Sequence, residues 1–453
     1  MQQYNCESPH SSLPLGKPVN IQPTHDTAAV TICATNFLGK ALVLRNSYLA
    51  VHPESDFYIL IIDKKHTRVH ERAPDVRILW AEDLGIAGFL HYAFKFDVIE
   101  LSTSVKPVVL SLLLVHYNWV LYLDPDICVY AKLDPVLEGL ASHSIVVTPH
   151  TLTPVMDGST PSDIEFLRFG AFNLGFIGVS KCEEAFAFLD WWSKRCLAHG
   201  YYEPQLGLAV DQKWVDLGPS FFPGMKILRD PGLNVAFWNL HERIVSSRDG
   251  VWLVNEQAPL RFFHFSSFSP DNPHAIARKQ SRFVPGSRPD LHELMDSYAA
   301  ELRENGNESY ARCHYSFNYF DDGIYVSPSL RRFYAALESN FPREENPFCH
   351  GSSFQRFALT HRLAGKKYTI SSQPTFREIA AYSTTTRIIS LGLRSILRVV
   401  GPNRYFSLMK YLAYISSIRN QGGVFPEVSS IMAPSDRASN GHGGSCGRKL
   451  VED

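Results

Sequence analysis

The sequence predicts an α/β protein, a Rossmann-like α/β/α sandwich followed by a helical C-terminal extension. From Ala28 to about Phe268, short apolar runs alternate with helical patterns, which indicates βαβ units. The runs are apolar on both faces, and such strands suit a parallel sheet that helices cover on both sides. After Pro270 the pattern becomes mainly helical. A chain of 453 residues is long enough for this large domain and one or two smaller units.

Six short apolar runs are predicted as strands, and three longer segments with helical patterns are predicted as helices. The predicted strands are Val30–Ala34, Phe57–Ile62, Val76–Leu79, Val120–Leu123, Ile145–Thr148 and Phe176–Val179. The predicted helices are Lys40–Val51, Thr103–His116 and Glu183–His199. The first two helices lie between predicted strands, as βαβ units require.

The predicted domain organisation has five parts. A polar N-terminal tail, 1–27, precedes the α/β domain, 28–268, and a helical extension, 269–345, follows it. A basic helical region, 346–426, contains eleven Lys or Arg and a single acid, and the last part is a Gly- and Ser-containing tail, 427–453. We expect both tails to be disordered because they have little apolar surface to bury.

Composition excludes several classes of protein. The net charge of -1 argues against a general nucleic-acid binder, because no global excess of Lys and Arg neutralises phosphates. The N-terminal tail has no apolar core of a signal peptide, and no later run offers about 18 uninterrupted apolar residues for a spanning helix. The eight cysteines form no CxxC pair. Their number would allow a disulfide framework, but without a secretory signal we expect free thiols. These features predict a cytoplasmic protein.

A pair of carboxylates is the most informative feature of the sequence. The apolar run Trp119–Leu123 ends in Asp124-Pro-Asp126. Residues two apart in an extended backbone point to the same side, and Pro125 keeps Asp124 out of the α conformation. Ligands of open α/β sheets bind at the carboxyl ends of strands, and Mg²⁺ or Mn²⁺ prefers oxygen ligands. The alternative is a turn in which Asp is favoured for turn geometry alone.

The segment from Tyr122 to Ile127 resembles the Asp-x-Asp motif of retaining GT-A glycosyltransferases. This family 8-like group contains glycogenin and bacterial lipopolysaccharide galactosyltransferases. Further segments between residues 28 and 268 match in the same order, and one of them resembles a bacterial subgroup of the family. They are Ala34-Thr-Asn-Phe, Thr103-Ser-Val-Lys-Pro, Phe172-Asn-Leu-Gly-Phe-Ile-Gly, Asp211-Gln-Lys, the subgroup segment 234–243, and Phe263-His-Phe-Ser.

The resemblance implies a GT-A fold and a metal-dependent enzyme. Such an enzyme transfers a sugar from a nucleotide diphosphate, UDP by analogy with the family, to a glycan or lipid-linked acceptor with retention. Asp124, Asp126 and His264 would bind the metal, and a His ligand favours Mn²⁺ over Mg²⁺. Asp211 and Gln212 would lie at the reacting sugar. The remaining donor-binding residues implied by the resemblance are Ala34, Thr35, Asn36, Thr103, Lys106, Asn173, Asn234, Trp238 and His241.

Each of these assignments has a structural alternative. Asp211 could be a helix N-cap, and Lys106 could be a solvated surface lysine. His264 and Trp238 could be ordinary core residues, while Asn173 could satisfy buried backbone groups. The chemistry at Gln212 is open as well. A double displacement needs a nucleophile, usually a carboxylate, so an amide favours attack by the acceptor on the same face of the sugar.

One part of the family pattern is missing. The His segment of the family continues with a Gly and a Lys that clamps the diphosphate, whereas Ser266 and Ser267 follow here with no adjacent Lys. Lys106 could supply the missing charge. Alternatively, Arg278 and Lys279 could fold over the donor as a lid.

Two other functions compete with glycosyl transfer. A sugar nucleotidyltransferase also joins a Rossmann-like sheet to metal-binding aspartates, but it uses a Gly-rich loop to cradle the triphosphate. The corresponding loop here, 34–39, contains one Gly. The other competitor is an inactive glycan-binding protein of the same fold, against which the intact set of Asp124, Asp126 and His264 weighs.

The basic region suggests a peripheral contact with the inner face of the membrane through 387–419. On a helical wheel, Arg387, Arg394 and Arg398 fall within about 40° of one another. Basic residues on one side and apolar residues on the other are typical of an interfacial helix. Leu391 lies on the basic side, which favours the alternative of an ordinary packed helix. The residues roughly opposite the arginines are Ile389, Leu393, Ile396 and Val400.

Overall fold

The computed structural model describes residues 21–66, 75–365 and 383–424. The chain divides into two compact units. The first combines Met1–Arg331 with Asn346–Pro374, and the second combines Arg332–Glu345 with Thr375–Asp453. The predicted tail 427–453 and most of the predicted tail 1–27 lie outside the described residues.

The strands and helices of the described residues follow in chain order. The strands are β1 Thr27–Cys33, β2 Asp56–Ile61, β3 Arg77–Trp80, β4 Trp119–Leu123, β5 Ile127–Val129, β6 Ile145–Pro149, β7 Phe172–Ser180, β8 Tyr202–Glu203, β9 Leu208–Ala209, β10 Met225–Ile227, β11 Val245–Arg248, β12 Val251–Val254, β13 Ala258–Pro259 and β14 Phe262–His264. The helices are α1 Leu38–Val51, α2 Phe89–Lys95, α3 Val98–Ser104, α4 Lys106–Leu114, α5 Asp134–Ser142, α6 Asp163–Phe169, α7 Glu183–His199, α8 Gln212–Val215, α9 Gly218–Phe221, α10 His292–Glu304, α11 Asn307–Ala311, α12 Pro328–Leu337, α13 Ser353–Thr360 and α14 Ser383–Ile415.

The central sheet has seven strands in the order β10-β6-β7-β4-β1-β2-β3. Strand β1 runs parallel to β2 and β4, and β2 runs parallel to β3. The predicted α/β fold class with a helical C-terminal part is confirmed. The sheet is mixed, however, because β7 runs antiparallel to both β4 and β6. A strand buried on both faces is apolar throughout whichever way it runs, so the sequence pattern did not reveal this direction.

The predicted helix 103–116 covers the end of α3, Val98–Ser104, and the whole of α4, Lys106–Leu114. Asp97 begins α3 by accepting hydrogen bonds from the backbone N–H groups of Ile99 and Glu100, and Glu100 completes a capping box. The chain then restarts α4 at Lys106, with Pro107 in its first turn, where a missing N–H costs nothing. The restart places Lys106 at the beginning of a helix whose following residues are buried.

Two apolar cores position the segment around His264. One fills the space between the central sheet and α1. The other joins residues 235–268 to α10, where the ring of Tyr298 stacks on Phe265 with centroids 3.7 Å apart. This contact anchors the residue that follows His264, and β14 itself pairs with β5.

Helix α14 belongs to the second unit and contains a sharp bend. Gly401 has φ 77° and ψ 166°, and Pro402 follows it. A positive φ favours Gly, and Pro cannot continue the hydrogen-bond ladder, so the two residues divide the helix. None of the helices in the described ranges is long and apolar enough to cross a membrane.

Candidate active site

Asp124, Asp126 and His264 come together at the carboxyl end of β4. The two aspartates occupy the short link between β4 and β5, and His264 ends β14, directly opposite Ile127 of β5. His264 Nε2 lies 3.0 Å from Asp126 Oδ1 and 3.7 Å from Asp124 Oδ2. The ligand atoms of all three lie within 4.8 Å of one another. The structure therefore groups the three residues that the sequence singled out as metal ligands.

The charges in this group are strongly coupled. Burial by itself raises the pKa of Asp126, but the charge and hydrogen bond of His264 outweigh burial and bring that pKa to about 2. Burial is the largest single influence on the pKa of His264 and lowers it, but the charge and hydrogen bond of Asp126 together with the charge of Asp124 raise that pKa above its ordinary value. The carboxylates of Asp124 and Asp126 thus stabilise the protonated, positively charged form of the His264 imidazole. A divalent cation offers the same charge compensation, and oxygen-rich ligands with one imidazole suit Mn²⁺ or Mg²⁺.

Gly175 of β7 leaves space for the group. Its carbonyl oxygen accepts a hydrogen bond of 2.8 Å from the backbone N–H of Asp124. A Cβ at this position would lie 2.5 Å from His264 Cε1, 2.8 Å from Asn173 Oδ1 and 2.9 Å from Asp124 Oδ2. No side chain fits there without displacing the site. Gly175 stood within the Phe-Asn-x-Gly motif, but the sequence assigned it no role.

Tyr122 is a neighbour of the metal group that sequence reasoning missed. Its hydroxyl donates a hydrogen bond of 2.6 Å to Asp124 Oδ1. Burial, followed by the charge of Asp124, raises the pKa of Tyr122, so the phenol keeps its proton. The available signal was the alternation of side chains in an extended chain, because Tyr122 lies two positions before Asp124, which directly follows β4.

Lys106 and Asp211 form a buried ion pair, with Lys106 Nζ 2.6 Å from Asp211 Oδ2. Lys106 also donates a hydrogen bond of 2.8 Å to the carbonyl of Leu174, and its Nζ lies 4.1 Å from the ring centroid of Tyr122. Burial raises the pKa of Asp211 despite the nearby Lys106 charge. The solvated-lysine alternative is therefore wrong. Asp211 does occupy the N-cap position of α8, but its side chain makes no capping hydrogen bond there and pairs with Lys106 instead.

The amide of Gln212 is fixed by two backbone groups. Its Oε1 accepts from the N–H of Leu174 at 3.1 Å, and its Nε2 donates to the carbonyl of Phe169 at 3.0 Å. The first group lies near the start of β7 and the second at the end of α6. Gln212 is therefore held at the same strand entry that carries Asn173 and Gly175.

A network of buried amides lies beside the metal group. Asn234 has φ 54° and donates to Thr148 Oγ1 at 2.9 Å and to Asn173 Oδ1 at 3.0 Å. Asn173 Nδ2 lies 3.3 Å from His150 Nε2. The ring of Trp238 meets that of His264 edge-on, with centroids 5.1 Å apart. These contacts bring Asn173, Asn234 and Trp238 to the site and also give each a structural role.

Several buried polar atoms around this network have no hydrogen-bond partner within the described residues. Buried polar groups are normally paired, so a cluster of such atoms is typical of a place where polar ligands bind. Burial lowers the pKa of His241, whose two ring nitrogens belong to this set. The others near the site are Asn234 Oδ1, Trp238 Nε1 and His264 Nδ1.

The segment predicted to hold the nucleotide base lies at the carboxyl end of β1. Ala34 is extended and buried, and the N–H of Thr35 donates to Asp63 Oδ2 at 2.7 Å. Asp63 also accepts from the backbone N–H of Ser316 at 2.7 Å. Asn36 Oδ1 is buried without a hydrogen-bond partner in the described part of the chain. Asp63, which the sequence analysis did not single out, thus fixes this loop.

Three residues with a predicted role in donor binding make no contact with the metal group in this structure. The hydroxyl of Thr103 donates within its own helix α3, to the carbonyl of Ile99 at 2.9 Å. Arg278 and Lys279 are both exposed, in a turn beyond β14. The contacts of these three residues with a donor remain predictions.

Comparisons with known proteins extend these observations. No protein-family model matches the chain. Two Bacillus subtilis proteins are similar in sequence. Uncharacterized protein YfnF is 26% identical over 249 residues, which is 53% of this chain and 82% of that protein. Uncharacterized protein YfnD is 22% identical over 246 residues, which is 53% of this chain and 77% of that protein.

Similar solved structures are glycosyltransferases. The apo bifunctional glycosyltransferase WbbM is 14% identical with a TM-score of 0.40, and the match covers 63% of this chain but about half, 53%, of WbbM. The galactosyltransferase LgtC, solved with donor and acceptor sugar analogues, is 15% identical with a TM-score of 0.39, over 61% of this chain and 99% of LgtC. Streptococcus pneumoniae GlyE is 15% identical with a TM-score of 0.37, over 66% and 67% of the two chains. Likeness at this level assigns no role to any residue of this chain.

Proposed function

We propose that this protein is a metal-dependent glycosyltransferase that moves a sugar from a UDP-sugar to a glycan or lipid-linked acceptor with retention. The observation that carries the proposal is the convergence of Asp124, Asp126 and His264 at the carboxyl end of β4, with ligand atoms within 4.8 Å of one another. Open α/β sheets bind ligands at this edge. The cluster of buried, unpartnered polar atoms beside the group supports a polar ligand there.

The three residues would hold Mn²⁺, or Mg²⁺, as the proposed cofactor. When bound, the ion supplies positive charge that offsets the charge of the departing nucleotide diphosphate. The imidazole of His264 favours Mn²⁺ over Mg²⁺. Gly175 keeps the space between His264 and Asp124 open for these ligands.

The Lys106–Asp211 pair orients the donor sugar in this proposal. The ammonium of Lys106 is committed to Asp211 and to the carbonyl of Leu174, so Lys106 positions the Asp211 carboxylate for a sugar hydroxyl. The exposed Arg278 and Lys279 are then the candidates for contact with the diphosphate. Asn173, Asn234 and the other predicted donor-binding residues complete the proposed donor site.

Gln212 lies beneath the anomeric carbon in this proposal. Its amide is a poor nucleophile, so the acceptor attacks from the face that the leaving group vacates, and Gln212 stabilises the positive charge that develops on the sugar. Gln212→Ala should slow transfer more than it weakens UDP binding. NMR assignment of the new linkage should show the anomeric configuration of the donor. An inverted linkage would overturn the proposed mechanism.

The main test is a screen of nucleotide sugars with Mn²⁺, followed by Asp124→Ala and Asp126→Ala. Both substitutions should abolish transfer and metal-dependent UDP binding, because each removes a ligand at the sheet edge while the core stays intact. Asp271→Ala, an exposed carboxylate beyond β14, is the matched control and should keep full activity. Turnover close to that of the unsubstituted protein in either site variant would refute the metal assignment.

The same screen separates the competing functions. A sugar nucleotidyltransferase would consume a nucleoside triphosphate and a sugar phosphate and release pyrophosphate. An inactive glycan-binding protein would bind glycans without consuming any nucleotide sugar. Either result would replace the proposal of glycosyl transfer.

We also propose that residues 387–419 contact an anionic membrane surface at the inner face of the membrane. Residues 383–424 contain no Asp or Glu, and their basic residues lie among exposed apolar side chains. Ile388 is 66% exposed, Val399 84% and Phe406 61%. A helix that presents both apolar and basic side chains to solvent fits the water–lipid interface, where each basic residue contributes about 1 kcal/mol.

Vesicle co-sedimentation tests this contact. The protein should bind vesicles that contain anionic phosphatidylserine more than neutral phosphatidylcholine vesicles, and salt should weaken the binding. Replacing Arg387, Arg394 and Arg398 with Gln should reduce it. The same change at three exposed arginines of the first unit, Arg248, Arg303 and Arg312, should not. Equal, salt-insensitive binding to anionic and neutral vesicles, or no binding to either, would show that the basic helix has a structural role only.

A further inference from the structure

The two oxygens of the Asp124 carboxylate face different partners. Oδ1 accepts the hydrogen bond of 2.6 Å from the hydroxyl of Tyr122. Oδ2 points toward the rest of the group, 3.7 Å from His264 Nε2. It also lies 2.9 Å from the place where a Cβ of residue 175 would stand. The Tyr122 hydrogen bond therefore selects which oxygen of Asp124 is presented to a cation.

Tyr122 is itself held firmly. Its side chain is 2% exposed, on a strand that pairs with β1 and β7 on its two sides. Lys106 Nζ lies 4.1 Å from its ring centroid, a distance at which a cation is attracted to the face of the ring. Lys106 is in turn fixed by Asp211 and the carbonyl of Leu174. The phenol thus has little freedom to move away from Asp124.

We infer that Tyr122 is a positioning residue for the metal site, an inference that rests on the proposed metal-dependent function. The phenol holds the Asp124 carboxylate in one rotation, with Oδ2 toward Asp126 and His264. A ligand oriented beforehand loses less conformational entropy when a cation binds. Through its ring, Tyr122 also connects the metal ligands to the Lys106–Asp211 pair.

Tyr122→Phe isolates the hydroxyl. Phenylalanine keeps the ring that fills the core and faces Lys106, and it removes only the hydrogen bond to Asp124. Loss of an outer hydrogen-bond partner of a metal ligand weakens metal affinity by about 10- to 100-fold. We therefore expect Tyr122→Phe to bind Mn²⁺ about 10- to 100-fold more weakly than the unsubstituted protein.

Tyr58→Phe is the matched control. Tyr58 is also a buried tyrosine of the central sheet. Its hydroxyl lies 2.6 Å from that of Tyr117 and accepts a hydrogen bond of 3.1 Å from Arg77, and neither partner belongs to the metal group. Both variants lose one buried hydroxyl, so both should show a similar loss of metal-free stability. Only Tyr122→Phe should change Mn²⁺ affinity, a property that a purely structural tyrosine would leave unaltered.

The experiment is a calorimetric titration of the full chain with MnCl₂ alone, together with the electron paramagnetic resonance signal of bound Mn²⁺. Asp126→Ala separates the inference from the proposed function. Binding lost in Asp126→Ala but unchanged in Tyr122→Phe would overturn the role of Tyr122 alone. Binding that survives in Asp126→Ala, or is absent from the unsubstituted protein, would overturn the metal site and the role of Tyr122 with it.

Discussion

Gly175 has no side chain, and this leaves room for the side chains of the candidate metal site. A Cβ there would lie within 2.9 Å of atoms from His264, Asn173 and Asp124. Gly175→Ala should therefore displace the metal ligands and reduce Mn²⁺ affinity by at least about tenfold, an effect comparable to the loss of an outer partner of the site. Calorimetric titration with MnCl₂ measures the change.

Gly178 provides a control on the same strand. A Cβ at this position would meet only apolar side chains, 2.8 Å from Val146 Cγ2 and 3.1 Å from Leu121 Cδ2. Gly178→Ala should lower the free energy of unfolding by about 1 to 3 kcal/mol through overpacking, and leave Mn²⁺ affinity unchanged. Equal Mn²⁺ affinities for the two variants would contradict the role of Gly175.

The buried imidazole of His150 should make the stability of the protein depend on pH. Burial lowers the pKa of His150 from 6.5 to about 4. Below pH 6.5 the unfolded chain binds a proton that the folded protein accepts only near pH 4, so the free energy of unfolding falls as the pH drops through this window. The loss amounts to about 3 kcal/mol. Urea unfolding between pH 7 and pH 4 should show it in the unsubstituted protein and show less of it in His150→Gln.

The control for this measurement is His116→Gln, a substitution at an exposed histidine. It should leave the pH profile of stability as it is, because the substitution leaves the buried surroundings of His150 unchanged. A profile of His150→Gln that overlays that of the unsubstituted protein would show that His150 does not cause the effect.

At the scale of elements, one arginine joins segments that are distant in sequence. The buried guanidinium of Arg331 in α12 lies among backbone carbonyls and one side-chain amide, at distances of 2.6 to 3.1 Å. It connects the end of α2 to the turn that follows α11. The acceptors are the carbonyl oxygens of Ala93, Phe94, Phe96 and Phe317, and Asn318 Oδ1.

Arg331→Met should destabilise the fold by about 3 to 5 kcal/mol, because several buried carbonyls lose their donor while the apolar stem of the side chain is kept. Equilibrium unfolding in urea measures the loss. Arg312→Met removes an exposed ion pair with Glu308 and should cost less than about 1 kcal/mol. Comparable losses for the two variants would show that the buried hydrogen bonds of Arg331 contribute little.

For the molecule as a whole, a metal that binds the first unit should stabilise that unit selectively. At 100 times its dissociation constant, Mn²⁺ should add about 2.7 kcal/mol to the free energy of unfolding of the part that binds it. Hydrogen exchange should then slow in β4, β5 and β14. Exchange in α14, which belongs to the second unit, should stay unchanged.

Asp126→Ala serves as the reference for this experiment, since it removes one ligand and should abolish the slowing. Equal slowing in α14 and in β4 would contradict selective stabilisation of the first unit. Slowing that persists in Asp126→Ala would place the bound Mn²⁺ elsewhere in the chain.

His264 was identified as a ligand only through the family resemblance. The sequence by itself predicted the α/β class, six of the seven strands of the central sheet and the carboxylate pair of Asp124 and Asp126. Local patterns suffice for these features, because apolar periodicity reports burial and the strand end at Leu123 places both carboxylates at one edge. Only Pro125 separates the two aspartates in the chain, so their proximity needed no knowledge of the fold.

Only the tertiary structure decided the direction of β7, the space at Gly175, the hydrogen bond of Tyr122 and the pairing of Lys106 with Asp211. Each depends on groups that are brought together across the sheet. Lys106 and Asp211 lie 105 positions apart in the sequence, and nothing near either residue indicates the other. The apolar pattern of a strand that is buried on both faces is the same for either strand direction. The atoms that surround a glycine cannot be read from its own segment either, because both features arise from packing between distant segments.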